Sequence, residues 1–438
     1  MNPYIQYMYS YPHKTAYGAL EGVDFRDYAH RLSGSHTGLY FHIPFCESKC
    51  GYCNLFSVAG QKEEFMGKYV DAMERHAAQI RACLPDDVFF SDLTLGGGTP
   101  LLLSAAQLER VFRTAEKFPG LEGRTRPVHV ETSPAQTTEE KLSLLKEHHV
   151  TRISMGVQSF QEEELRTLGR RHTAEMAERA MARIKKAGFP CVNLDLIYGI
   201  PGQTMQTLRD SAERALAYEP EELFIYPLYI KKGTDLYRKG VQRPEQTYDM
   251  YVQIRSFLKE HGYFPYSMRR FVKKEKAADG DRKSCGFENT VSIGCGGRSY
   301  IGNLHFCTPY YVRQRDCRKV LESYTNCENY LPVKHGYLLS EEEQRRRYVI
   351  KNILFCCGLS RGEYREMFSG EVGEDFPVLR DWIQSGYAYE EQENIYLTEK
   401  GMSLSDALGP MLISEEVREK MRRENDSTDL LPGKSEFL

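Results

Sequence analysis

No stretch of this chain approaches the ~18 uninterrupted apolar residues of a membrane-crossing helix, so no span is expected. The opening residues, MNPYIQYMYSYPHKTAYGAL, hold no apolar core of the kind that marks a secretory signal. These two absences point to a cytoplasmic protein. Charge of neither sign dominates: 58 Lys and Arg face 61 Asp and Glu, for a formal net charge of −3. That balance argues against a polybasic nucleic-acid binder and an acidic solvating chain, so no nucleic-acid partner is expected. No repeat of fixed period and no long low-complexity run occurs. Cysteine, at 12 in 438 residues, is too sparse to staple a small disulfide fold. In a reducing compartment, clustered cysteines point instead to metal or redox chemistry.

What is present is an alternation. The length suggests two to four domains at roughly 100–200 residues each. Leu39–Phe45 has the apolar and aromatic content of a strand, stopped at Pro44. Residues 63–84 place Phe65, Met66, Tyr69, Val70, Met73, Ala77, Ile80 and Leu84 on one helical face. Leu93–Leu95 runs into Gly96-Gly97-Gly98, and Ser104 with Gln107 forms a capping box opening a helix. Strands are expected at Val128–Thr132, Arg152–Val157, Cys191–Tyr198 and Leu223–Tyr229. Helices are expected at Glu139–His149, Thr173–Ala187 (closed by Gly188) and Thr204–Tyr218. Six strand–helix units predict a parallel sheet with helices outside, as a partial barrel or an open sheet. In either case chemistry belongs at the carboxyl ends of the strands.

After residue 230 the pattern weakens. From Glu341 a helix is expected through the apolar run that includes Cys356-Cys357, which reads as core. Two further amphipathic stretches and a hairpin over Tyr387–Thr398 suggest a winged-helix module. The linear division is an arm over 1–35, a barrel over 36–235, a barrel extension on the substrate side over 236–340, a winged-helix-like α+β domain over 341–410, and a charged tail over 411–438.

Cys46, Cys50 and Cys53 carry the chemistry. Their C-x3-C-x2-C spacing sits on one loop directly after the first strand. Zinc would want a fourth ligand for a closed site, and full cluster ligation normally takes four cysteines. Here only three are at hand, which leaves one iron of a cubane cluster open. The bland alternative is a loop with three incidental thiols.

The stretch YFHIPFCESKCGYC resembles the cluster loop of radical S-adenosylmethionine (SAM) enzymes. The preceding Tyr-x-His-Ile-Pro-Phe narrows the likeness to the oxygen-independent coproporphyrinogen III oxidase family, which includes heme chaperones and methyltransferase relatives. The resemblance runs from Tyr9 to about Gly401 and implies an α/β fold, a partial (β/α)6 TIM-like barrel with parallel strands. It implies a [4Fe–4S] cluster on Cys46, Cys50 and Cys53, with SAM chelating the open iron. Tyr40 resembles the tyrosine beside cluster and SAM, and Tyr52 the aromatic residue near the adenine. Gly97, Gly98 and Thr99 match the strand end that contacts the methionine amino group. Glu131, Gln158, Arg170 and Asp195 match the remaining SAM contacts. An arginine suits the methionine carboxylate, and acidic and amide side chains suit ribose hydroxyls. The implied chemistry is one-electron reduction of the cluster by a donor such as flavodoxin or ferredoxin. SAM is then cleaved to methionine and a 5′-deoxyadenosyl radical that abstracts hydrogen from a C–H bond.

The chain also departs from the family's branches. Tyr9-Ser10-Tyr11-Pro12 is similar to the N-terminal element of the true oxidases, with an aromatic arm packing on the barrel as the alternative. The additional cysteine that follows the triad in those oxidases is missing. Ser284-Cys285-Gly286-Phe287-Glu288 stands where the chaperones carry a His-Asn motif. Ser292–Gly302, 346–350 and Tyr396–Gly401 still match the family. Cys285, Cys295, Cys307, Cys317 and Cys327 lack any C-x-x-C pair, so packed thiols are expected rather than a second cluster. Lys231, Lys232, Arg269, Arg270 and Arg298 are candidates for substrate carboxylates, with surface solvation as the bland role. The expected activity is oxidative decarboxylation of a tetrapyrrole propionate or a related substrate. A methyltransferase of the same family, using two SAM molecules on a heteroaromatic or peptide substrate, and a heme-binding chaperone are the alternatives.

Overall fold

The computed structural model describes residues 2–122, 126–273 and 288–427. Cys285 and the chain end over 428–438 lie outside the described residues. The chain forms two compact units, each assembled from separate stretches. One, the barrel unit, comprises residues 18–245 and 289–336. Of the described residues, the other comprises the N-terminal arm to residue 17, residues 246–273 and 288, and residues 337–427.

The barrel unit is built on β1 (His36–Ile43), β2 (Phe89–Gly97), β3 (Val128–Thr132), β4 (Arg152–Gln158), β5 (Cys191–Tyr198) and β6 (Glu222–Pro227). Each pairs in parallel with the next, so spatial order equals chain order. Between them run α1 (Glu63–Arg81), α2 (Ala105–Ala115), α3 (Glu139–Glu147), α4 (Ala174–Ala187) and α5 (Met205–Leu216). Parallel strands need crossovers of a dozen or more residues, and these helices supply them. Their local chemistry is legible: Ser104 and Gln107 form the expected capping box. Gly188 ends α4 in the left-handed region at φ 67°. Leu39, Phe41, Leu95, Ile153, Met155, Leu194, Leu196 and Ile225 are wholly buried, as strands covered on both faces require. Six parallel strands joined by five crossover helices give the α/β fold with a central parallel sheet that the alternation predicts.

Beyond β1 the chain returns as β7 (Asn289–Ile293), parallel to β1. β8 (Arg298–Ile301) and β9 (Leu304–Cys307) then extend the sheet antiparallel, and α6 (Gln314–Thr325) follows.

In the other unit, helices Glu341–Ile353, Arg361–Phe368 and Val378–Gln384 accompany a small antiparallel sheet. Its strands Ala388–Glu391 and Asn394–Leu397 form a hairpin, and Leu359–Ser360 adds to one side, a winged-helix-like arrangement. The N-terminal arm is packed against this unit's own helices. Tyr11 is buried, its hydroxyl donates to Glu343, and it accepts from the Ser414 amide at 3.3 Å. Lys351 donates to the Tyr9 carbonyl.

Two expectations need correction here. Cys356 and Cys357 are exposed in a turn after the helix has ended at Ile353, because Gly358 at φ 71° and the strand at Leu359 redirect the chain. The stretch from 411 is not only a charged tail. Glu415–Ser427 is helical, capped by Ser414 and seated by the buried side chain of Val417.

Candidate active site

The site begins where β1 stops. Pro44 cannot donate to a ladder, and the next two residues leave the sheet to form a short parallel pair, Phe45 with Val58 and Cys46 with Ala59. Between them lies the cysteine loop, and its backbone is fastened from outside. The Gly51 amide donates to the Leu168 carbonyl and the Gly51 carbonyl accepts from Leu236, both at 2.9 Å. Phe56 donates to the Tyr310 hydroxyl and Ala59 to Gln314, both at 2.8 Å. Lys49 closes the loop by donating to the carbonyls of Leu55 and Ser57 at 3.1 Å and of Val312 at 2.7 Å.

All three thiols are free and half-buried. Burial pushes the Cys46 thiol up to about 12, with the neighbouring Cys53 and Cys50 adding to the rise. Burial also raises Cys53, opposed by the Lys49 ammonium. Such thiols ionise only when a metal centre supplies the compensating charge. Among the described residues no three His, Cys, Asp or Glu side chains gather to hold a single ion. A cubane asks for something else, one thiolate on each of three separate irons, which three sulfurs spread along one loop suit.

The glycine run lies directly against this loop. A Cβ on Gly96 would stand 2.9 Å from both Glu131 and the Tyr40 hydroxyl. Gly97, at φ 117°, leaves no room beside the His42 ring, and a Cβ on Gly98 would meet the Phe45 carbonyl at 2.5 Å. Those close approaches are used. Gly98 donates to the Ile43 carbonyl at 2.8 Å and Thr99 to the Phe45 carbonyl at 2.7 Å. The Gly97 amide donates to Glu131 at 3.0 Å. Thr99 Oγ1 is 4.0 Å from Cys46 Sγ.

Three further strands bring their polar residues alongside. Sheet register sets Glu131 beside Ser154 and Gly156 beside Asp195. Burial raises the Glu131 carboxyl, partly offset by the Gly97 amide. Burial carries Asp195 up to about 7, opposed by the Asn193 hydrogen bond and the Arg152 cation. Asn193 donates to Asp195 at 2.8 Å and to Ser154 at 2.6 Å. Gln158 takes φ 73° at an irregularity that ends β4, and this turns its amide back over Gly156.

Arg170, from the connection after β4, ties these parts together. It donates to Cys50 Sγ at 3.4 Å and to the Gly156 carbonyl, while its buried Nε has no partner. An unmet donor on a buried guanidinium is costly and suits an arriving carboxylate. Tyr52 packs on Leu168, Ile197, Ile200, Leu228 and Leu236, and burial raises its phenol. The Tyr40 hydroxyl lies 3.3 Å from His42 Nδ1.

The tertiary structure adds residues that pattern reasoning passed over. His42 links Tyr40 to the Phe56 carbonyl at 3.1 Å, and its only signal was its place in Tyr-x-His-Ile-Pro-Phe. Lys49 sits between two cysteines without any spacing rule to mark it. His172 lies behind Arg170, bonded to the Val157 carbonyl at 3.1 Å. Burial, then the Arg170 cation, lowers its pKa to about 3. Among the proposed carboxylate binders, Arg269 is committed elsewhere: it is buried, paired with Asp406 and stacked on Tyr7 at 3.8 Å. Its reading as a solvated surface residue is likewise corrected. Arg270 lies over the Tyr266 ring and Lys231 over Tyr229.

Comparison with known proteins follows the same residues. Residues 40–215 match the model of the Radical SAM superfamily. Heme chaperone HemW of Bacillus subtilis (strain 168) is 27% identical over 387 residues, covering 86% of this chain and 99% of that protein. Oxygen-independent coproporphyrinogen III oxidase of Escherichia coli (strain K12) is 26% identical over 428 residues, covering 91% and 92%. The solved coproporphyrinogen III oxidase (HemN) from Escherichia coli, a radical SAM enzyme, superposes with a TM-score of 0.80 at 21% identity. It covers 93% of this chain and 96% of that one, a likeness of fold. No described helix is long and apolar enough to cross a membrane.

Proposed function

This chain carries a radical SAM domain and is homologous to the HemW and oxygen-independent coproporphyrinogen III oxidase proteins, and on that premise we propose a SAM-cleaving enzyme that acts on a tetrapyrrole propionate or a related substrate. The observation that carries the reading is Arg170, which joins Cys50 to β4 and keeps a buried, unpartnered Nε beside them. Cys46, Cys50 and Cys53 would hold a [4Fe–4S] cluster. When bound and reduced, it supplies one electron to the SAM sulfonium and so yields methionine and the radical that removes a substrate hydrogen.

The chain's own residues bind and orient. Arg170 offers its unmet N–H to the methionine carboxylate. The Gly96–Gly98 backbone, bare of Cβ atoms on its crowded side, lets the methionine amino group approach closely beside Thr99. Glu131 and Asp195, both raised by burial, accept hydrogen bonds from ribose hydroxyls together with Gln158. Tyr52 presents an aromatic face to the adenine, and Tyr40 stands over the glycine run. Burial of these groups keeps water from the reacting carbon.

The test is anaerobic reconstitution, chemical reduction and product analysis. With coproporphyrinogen, the expected products are 5′-deoxyadenosine, methionine and carbon dioxide. S-adenosylhomocysteine would redirect the reading to methyl transfer. The HemW relatives favour a second reading, a heme-binding chaperone. Stoichiometric heme binding without substrate decarboxylation would select it.

A further inference from the structure

Four phenols and two imidazoles of the barrel unit form one continuous string that starts at the proposed SAM site. The Tyr40 hydroxyl, crowded against Gly96, reaches His42 Nδ1 at 3.3 Å. The His42 carbonyl accepts from the Tyr69 hydroxyl at 2.7 Å. Tyr69 and His76 lie two turns apart on one face of α1, and Tyr324 of α6 touches both. The Tyr69 and Tyr324 rings are 5.4 Å apart, centroid to centroid, and Tyr324 and Tyr330 are 5.1 Å apart. His76 Nδ1 is 3.0 Å from the Tyr324 hydroxyl, and its ring stacks on Tyr330 at 4.8 Å. Tyr69 and Tyr324 are buried, whereas Tyr330 is half-buried and meets solvent.

A cluster that only packs has no use for this much polarity, because every buried hydroxyl and ring nitrogen costs free energy unless it is bonded. The telling pair is Tyr324 with His76. The Gly294 amide donates to His76 Nδ1 at 3.3 Å, so that nitrogen carries no proton and accepts from Tyr324 as well. Burial lowers the His76 pKa to about 3 and keeps the ring neutral. Burial also holds the Tyr324 phenol well above its ordinary value, which closes simple ionisation to it. A phenol gives up an electron readily when its proton leaves at the same time, and a neutral imidazole at hydrogen-bond distance takes that proton.

We propose that Tyr40, Tyr69, Tyr324 and Tyr330 form a relay that carries a stray radical from the SAM site to the surface when no substrate is in place. The inference rests on the proposed cleavage of SAM. A 5′-deoxyadenosyl radical without a substrate takes its hydrogen from Tyr40: the phenolic O–H breaks and the 5′ C–H forms. Tyr324 then sends an electron through Tyr69 to the Tyr40 oxyl and passes its proton to His76 Nδ1. Tyr330 refills Tyr324, whose proton returns from His76, and a low-molecular-weight thiol at the surface refills Tyr330. Protons lost and regained at Tyr40, Tyr330 and the thiol pass through solvent. The sum is one 5′-radical and one thiol giving 5′-deoxyadenosine and one thiyl, and two thiyls pair as a disulfide. The relay spares the site from attack by its own radical, a competing reaction that the protein must suppress.

The test is a single turnover without substrate in anaerobically reconstituted full-length protein. The protein is reduced with titanium(III) citrate, excess reductant is removed, SAM is added, and samples are frozen for electron paramagnetic resonance. In one preparation 3,5-difluorotyrosine stands in place of Tyr324 in an otherwise unchanged chain, so that a radical there shows fluorine splitting. The expected result is a tyrosyl signal with that splitting, which glutathione quenches. Tyr324→Phe should slow quenching by glutathione at least tenfold and raise covalent adducts around Tyr40, read by peptide mass spectrometry, at least fivefold. His76→Phe keeps the stack on Tyr330 but removes the proton acceptor, and should weaken the split signal at least fivefold. A tyrosyl signal without fluorine splitting, or wild-type quenching in the Tyr324→Phe protein, overturns the relay. 5′-Deoxyadenosine released with no tyrosyl signal in the wild type overturns the relay alone and leaves the SAM reading standing. If no 5′-deoxyadenosine forms, the functional reading fails and the relay with it.

Discussion

Two groups of cysteines in the barrel unit show what separates a reactive site from a packed interior. Cys46, Cys50 and Cys53 are half-buried on one loop, with their backbone fastened by donors from other segments. Cys295, Cys307 and Cys317 are fully buried, each beside its own partner. Cys295 lies 3.5 Å from Thr308 Oγ1, Cys317 lies 3.1 Å from the Tyr311 carbonyl, and Cys307 lies 3.9 Å from His335 Nδ1. Burial raises Cys46 and Cys317 alike, so desolvation alone does not distinguish them. The difference is that the first three share one loop beside a buried arginine whose Nε has no partner, whereas the others come from separate segments, each against its own polar neighbour.

The strongest way to break this comparison is to exchange roles. Alanine at Cys46, Cys50 or Cys53 should each cut reconstituted iron from about four per chain to below about one, by iron and sulfide assay. Cys295→Ala should leave iron unchanged and cost about 2 kcal/mol of stability from lost packing. Equal iron in all four variants would dissolve the distinction.

Gly98→Ala tests the wall of the site. Its Cβ would meet the Phe45 carbonyl at 2.5 Å, and overpacking of that kind costs about 3 kcal/mol. Denaturant unfolding should show the loss, together with reduced iron uptake; a wild-type midpoint would mean that the loop yields freely. Lys49→Met removes three charge-assisted hydrogen bonds that shape the loop. Discounted for its partial exposure, the loss should be about 2 kcal/mol, and a Tm that does not move would count against the clamp.

Asp195 gives the pH signature. Its folded pKa near 7 exceeds the unfolded value of about 3.9, so the folded state holds more protons between them. Stability therefore declines as pH rises from about 4 to about 7 and then levels. Asp195→Asn should remove this slope and leave the protein about 1–2 kcal/mol more stable at pH 7.5, the carboxyl being only partly shielded. Parallel pH profiles for both proteins would refute it. The smallest effect belongs to the exposed turn: Cys356→Ser should change stability by less than about 0.5 kcal/mol and iron not at all.

Much of the barrel was legible because its signals are local. Val128–Thr132 and Cys191–Tyr198 match the observed strands residue for residue, and the Ser104–Gln107 cap needs only four neighbouring residues. The cysteine triad was legible for the same reason. Arg269 and Cys356-Cys357 were misread because burial depends on distant partners. Asp406 lies far along the chain from Arg269, and Gly358 ends an apolar run that pattern alone would continue. His42 and Lys49 follow no spacing rule, so their contacts emerge only when the loop is folded.

The sequence by itself determined the six alternating units, the three-thiol loop and the glycine run, because periodicity and spacing act over a few residues. Only the tertiary structure decided which donors hold that loop, that Arg170 keeps an unmet N–H beside it, and that stretches near residues 50, 170, 236 and 315 meet at that loop. Those outcomes depend on parallel crossovers that bring chain positions more than a hundred residues apart within hydrogen-bond distance, and no local pattern encodes a distance across the fold.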